Sequence, residues 1–109
     1  MNKGDILIVN LEAGLGHEQH GERPAILISD TKTNILIVVP LTAKLEALCF
    51  PHTLTISPEK GNGLNQDSVA LLFHLKAIDK FRVNKVIGKL SKNIESKIDK
   101  ILKGMLKLQ

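Results

Sequence analysis

The chain has no tryptophan and no tyrosine, and only three phenylalanines among its 109 residues. Modules that read single-stranded nucleic acid by stacking bases on aromatic rings, such as RRM and OB domains, are therefore poor fits. Cys49 is the single cysteine, which excludes an intramolecular disulfide. It has no partner motif and reads as packing. No apolar run reaches the length of a membrane span. The N-terminus Met1-Asn2-Lys3-Gly4-Asp5 opens no apolar core of signal-peptide length. A soluble cytoplasmic protein is the resulting expectation. The glycines of residues 14–21 lack the Gly-Lys-Ser/Thr of a phosphate loop. His17, His20, His52 and His74 are scattered without metal-ligand spacing, so neither a metal site nor a cofactor is expected.

What is present is ordinary for a globular protein, with 43% hydrophobic and 24% charged residues. The length suits one domain, residues 1–109. The net charge of +4 is uneven. Residues 1–75 hold five basic and eight acidic groups, or −3; residues 76–109 hold ten and three, or +7. The C-terminal third could attract an anionic partner, or it could be a lysine-rich helix facing water.

The hydrophobic pattern predicts a mainly β chain with one C-terminal helix. Strands are expected at Asp5 to Leu11, Ala25 to Ser29, Ile35 to Leu41, Thr53 to Ile56, Ser68 to Leu75 and Val83 to Leu90. Asn10 to Pro24 reads as a long loop, with Pro24 at a strand entrance because it has no N–H to donate. Gly61-Asn62-Gly63 offers positive-φ positions for a turn. Asp79 could cap one helical turn over residues 79–82. Ser91 caps the final helix, with Ile94, Ile98, Ile101, Leu102, Met105 and Leu108 on one face. Strands followed by a terminal helix imply an antiparallel sheet closing into a small barrel with the helix packed on it.

The segment His17-Glu18-Gln19-His20-Gly21-Glu22-Arg23-Pro24 carries more charge and imidazole than a connection needs. Loops held by a rigid scaffold can aim such groups. An arginine fork five residues from the carboxylate of Glu18, with two histidines nearby, suits a phosphodiester substrate.

Six pieces in order then resemble one family. They are Gly4-Asp5-Ile6, Gly16-His17-Glu18-Gln19 with Gly21-Glu22-Arg23-Pro24-Ala25, Val39-Pro40-Leu41-Thr42, Gln66-Asp67-Ser68-Val69-Ala70, Ile78-Asp79-Lys80-Phe81-Arg82, and Gly88-Lys89-Leu90-Ser91. Together they span essentially the whole chain and resemble the MazF/PemK toxin endoribonucleases, or mRNA interferases, of type II toxin–antitoxin systems. The resemblance implies a small SH3-like barrel with a C-terminal helix, found as a homodimer and shared with toxins that poison DNA gyrase. It also implies metal-free cutting of single-stranded RNA by the 2′-hydroxyl, leaving a 2′,3′-cyclic phosphate and a 5′-hydroxyl. A cognate antitoxin protein would hold such a toxin in check.

On that resemblance Arg23 is the catalytic arginine, whose guanidinium stabilises the charge gathering on the phosphorane oxygens. The competing reading is a salt bridge with Glu18 or Glu22. Thr42 is the catalytic hydroxyl; the competing reading is a threonine bonding its own backbone. Glu18 would orient Arg23, accept the 2′-hydroxyl proton, or merely anchor the loop. His17 and His20 are proton carriers at neutral pH or exposed loop residues, and Gln19 joins them as a substrate-binding candidate. Asp67 and Ser68 support the site or cap a turn. His74 and Lys76 stand where the family often has glutamine and arginine. There they could meet a base edge and a phosphate, so the departure bears on which RNA sequence is cut. Two other readings are a gyrase inhibitor on the same fold and an RNA-binding relative that does not cut.

Overall fold

The computed structural model describes residues 1–10 and 21–108. Seven strands precede one α-helix: β1 Asp5–Asn10, β2 Glu22–Asp30, β3 Ile35–Thr42, β4 Thr53–Ile56, β5 Ser68–Leu71, β6 Lys76–Asp79, β7 Val83–Lys89 and α1 Lys92–Met105. The strands form one antiparallel sheet in the order β4-β5-β3-β2-β1-β7, with β6 also on β3. β3 is the hub because β5 pairs with its C-terminal residues Leu41 and Thr42, while β6 pairs with Ile35 to Val38.

The continuous apolar character of β1, β2 and β3 has a direct cause, since both faces of this central sheet are buried. Ile6, Ile26 and Val39 are aligned across the three strands. They pack with Ile56 and Ala70 and with Ile98 and Leu102 of α1. The alternate residues Leu7, Ala25, Leu27 and Val38 turn to the other face, where Ile78 and Val83 join them. Ser91 caps α1 as expected, its Oγ accepting the Ile94 N–H at 3.3 Å.

Several expectations are corrected. β2 begins at Glu22, so Arg23 and Pro24 belong to a strand rather than a loop. Pro24 is tolerated because the pairing of β2 with β3 starts only at Ala25. The run Ser68 to Leu75 is not one strand: it breaks at a 3-10 turn, Leu72–His74, which carries the chain past the middle of β3 to β6. A second 3-10 turn, Leu45–Cys49, went unforeseen. Asp79 precedes a third, Lys80–Arg82, but its side chain makes no capping bond. Leu108 is exposed beyond the helix, which ends at Met105. Lys107 adopts φ 59°, its N–H bonds the Gly104 carbonyl and the Leu108 N–H bonds that of Lys103, a Schellman ending that turns the chain away.

Nor does the sheet close into a ring among the described residues, for β4 and β7 end it. The turn segment 57–66 bridges the gap instead. The Gly61 carbonyl accepts the Lys89 N–H at 2.9 Å. Gly88 lies so close to the turn that a Cβ there would sit 2.5 Å from the Gly61 oxygen. Gly61 and Gly63 have the expected positive φ, 91° and 73°. Asn62 between them is buried and ties the turn together. Its Oδ1 accepts the N–H groups of Glu59 and Leu64 at 3.2 and 3.0 Å, and its Nδ2 donates to the Ser57 carbonyl at 3.0 Å. No helix among the described residues is long and apolar enough to cross a membrane.

Candidate active site

Arg23 on β2 lies opposite Val9 of β1. On its other side β2 pairs Ala25 with Pro40, Ile26 with Val39 and Leu27 with Val38. That pairing ends at Ala25 and Pro40, two residues from Arg23 and from Thr42, and beyond it Leu41 and Thr42 pair with Ala70 and Val69 of β5. The period-2 alternation of strands puts both side chains on one face, the face that also carries Ala25, Leu27 and Val38. Both residues are half-buried, so each is held by the scaffold yet reachable from outside. The antiparallel pairing of β2 and β3 thus sets the start of β2, with Arg23, beside the end of β3, with Thr42.

The Thr42 hydroxyl accepts the N–H of Lys44 at 3.2 Å. This is the local backbone bond that a strand-ending threonine commonly makes. It does not compete with a role in binding, because a hydroxyl that accepts still has its own proton to donate. The bond fixes the oxygen and leaves the proton for an outside acceptor.

Two residues missed in the sequence reach the same end of the sheet. Val83 of β7 pairs with Val9, which pairs with Arg23. Arg82, next to Val83, donates from Nη1 to the Asn10 carbonyl at 3.4 Å. Asn84 donates from Nδ2 to Glu22 Oε2, joining β7 to β2 across β1. Only the segment Ile78-Asp79-Lys80-Phe81-Arg82 hinted at Arg82, and nothing flagged Asn84.

Asp67 is exposed ahead of β5, and Ser68 opens that strand with its hydroxyl bonded to the Gln66 carbonyl at 3.3 Å. The next residue, Val69, pairs with Thr42, so Ser68 holds the strand that borders the threonine. His74 is exposed on the 3-10 turn between β5 and β6, its ring 4.8 Å from that of Phe73. Lys76 is half-buried opposite Val38, four residues before Thr42 on β3. Both therefore flank β3 rather than β2. His17, Glu18, Gln19 and His20 lie outside the described residues.

The chain matches the family of PemK-like, MazF-like toxins of type II toxin–antitoxin systems over residues 2–106, and it belongs to that family. It is 30% identical over 112 residues to endoribonuclease EndoA of Bacillus subtilis, covering 99% of this chain and 96% of the relative. MazF of Deinococcus radiodurans shares the fold with a TM-score of 0.77 at 22% identity, over 99% of this chain and 97% of that one. A mycobacterial endoribonuclease solved with its cognate antitoxin has a TM-score of 0.73 at 17% identity, over 98% and 93% of the two chains.

Proposed function

We propose that this chain is an endoribonuclease toxin that cuts single-stranded RNA without a metal ion. The observation that supports the reading is that β2, which carries Arg23, pairs antiparallel with β3, which ends at Thr42, in a chain of this toxin family. Arg23 would bind the non-bridging oxygens of the scissile phosphate through its fork of donors. Thr42 would donate its hydroxyl proton to the same group. The 2′-hydroxyl of the RNA attacks in line, giving a 2′,3′-cyclic phosphate and a 5′-hydroxyl. Such chemistry needs positioning and charge stabilisation above all, which two fixed donors supply. Glu18, His17 and His20 are the candidates for moving the proton of the 2′-hydroxyl, and Gln19, Asp67, Ser68, His74 and Lys76 for holding the RNA around the cut.

Two copies would pair, and a cognate antitoxin would cover the RNA groove. Leu48, Phe50 and Phe73 are large and exposed, with the two rings 5.5 Å apart, as suits a protein contact. Phe50 shares a cavity of about 390 Å³ with Thr42, so a partner seated there would lie beside the reacting phosphate. The exposed Lys97, Lys100 and Lys103 of α1 give an acidic antitoxin an electrostatic approach.

The test is incubation of the purified protein with mixed single-stranded RNA in EDTA, with the ends of the products mapped. Cutting that persists in chelator, spares DNA and leaves cyclic phosphates supports the reading. Arg23→Ala should lower the rate by roughly 100-fold or more, the scale set by removing one preorganised donor. Cutting by Arg23→Ala at the wild-type rate would reject the assignment.

A further inference from the structure

A second crevice opens at the Arg23 end of the sheet, between the turn segment and the strands β1, β2 and β7. It encloses about 410 Å³ and is walled by Ile8, Pro24 and Ile87 on the strand side and by Asn65 and Gln66 on the turn side, with Lys85 beside them. Pro24 is the neighbour of Arg23, and by strand alternation its ring lies on the opposite face of β2. The crevice is therefore close to the proposed scissile site but separate from it.

Its chemistry is specific. The side chains of Asn65 and Gln66 make no hydrogen bond among the described residues, and Lys85 makes no ion pair there. Two carboxamides, each with donors and an acceptor, can pair with the edge of a base. A lysine beside them supplies a point charge for a phosphate. Apolar walls of isoleucine and proline can receive the flat face of a base in a chain poor in aromatic rings. An acidic peptide would need cations where this crevice offers mostly neutral amides. The crevice is held in shape by the Asn62 hydrogen bonds and by the glycine contact with β7.

We infer that this crevice is a nucleotide subsite, which takes an unpaired nucleotide of the RNA flanking the cut, reads its base through Asn65 and Gln66, and holds its phosphate with Lys85. The inference rests on the RNA-cutting reading for its biological meaning. Its binding test does not depend on cleavage.

The probe is a fluorescein-labelled single-stranded RNA of random sequence, 2′-O-methylated so that it cannot be cut, titrated by anisotropy. The Asn65→Ala/Gln66→Ala double variant should bind about 10-fold more weakly than wild type, a loss within the range for one bidentate base contact. Lys85→Ala should lower the slope of log affinity against log salt by about 0.7, as one lost phosphate contact on a single strand requires. In a parallel digest of unmodified random RNA, the double variant should still cut, with relaxed base preference at one position beside the cut. Circular dichroism confirms that these surface variants stay folded. Unchanged affinity and unchanged cut-site preference in the double variant would overturn the subsite. Binding that weakens as expected in a protein that cuts no RNA would remove the nuclease reading and leave the subsite standing. Cutting that depends on Arg23 but not on Asn65 or Gln66 would do the reverse.

Discussion

Replacing Asn62 by alanine tests how the open edge of the sheet is closed. The side chain is 1% exposed and makes three hydrogen bonds, all to the backbone of the segment that bridges β4 to β7. Each such bond contributes about 1 kcal/mol net. Alanine removes all three and leaves the Glu59 and Leu64 N–H groups and the Ser57 carbonyl to find water. Because Glu59 and Ser57 are exposed, part of the loss is recovered by solvent. The expected cost is therefore about 2–4 kcal/mol, or a fall in Tm of roughly 10–20 °C for a chain of this size. Asn62→Asp keeps the two accepting bonds but sets a buried carboxylate oxygen against the Ser57 carbonyl, so near neutrality it should cost at least as much as alanine. Urea unfolding followed by circular dichroism reads both values. An alanine variant within about 0.5 kcal/mol of wild type would refute the reasoning, since surface-like changes stay in that range. It would mean that the turn is held by its glycines and by the Lys89–Gly61 bond without the amide.

Further outcomes follow from single features. Gly88→Ala should destabilise by at least about 2 kcal/mol, because the new methyl meets backbone that cannot yield; thermal melts measure it. Lys107→Gly should stabilise by up to about 1 kcal/mol, because glycine occupies the φ of 59° at the helix end without strain; the same melts measure it. Asp30 accepts the Lys32 N–H at 3.0 Å, and this bond, together with the charges of Lys80 and Lys32, holds its carboxyl below 3.8, outweighing partial desolvation. A lowered folded pKa stabilises above the unfolded value and is lost as pH falls through the folded one. The stability advantage of wild type over Asp30→Asn should therefore be full near neutrality and shrink as the pH drops below about 3.8, read from melts across an acid series.

Much of the fold was legible in the chain because local signals agreed with the tertiary outcome. Ser91 followed by apolar residues at spacings of three and four specified α1 without help from elsewhere. The alternation of Thr53-Leu54-Thr55-Ile56 gave β4 at its full extent. Where local and global signals diverged, the reading failed. Proline at position 24 marks a strand boundary by its missing N–H, yet β2 runs through it because the pairing of β2 with β3 begins one residue later. The apolar run from Ser68 to Leu75 looks uniform, and its break is set by which part of β3 each half can reach.

By itself the sequence determined that the chain is a small β domain with a capped C-terminal helix, and its ordered motifs pointed to a toxin family and to Arg23 and Thr42. Only the tertiary structure decided that the start of β2, with Arg23, lies beside the end of β3, with Thr42, and that Arg82 and Asn84 bond to Asn10 and Glu22 near the start of β2. It also decided that a buried asparagine and two glycines bridge the gap between β4 and β7. The physical reason is that hydrophobic period and capping act between near neighbours in the chain. Strand register and backbone close approach join residues far apart in it, and no local pattern encodes them.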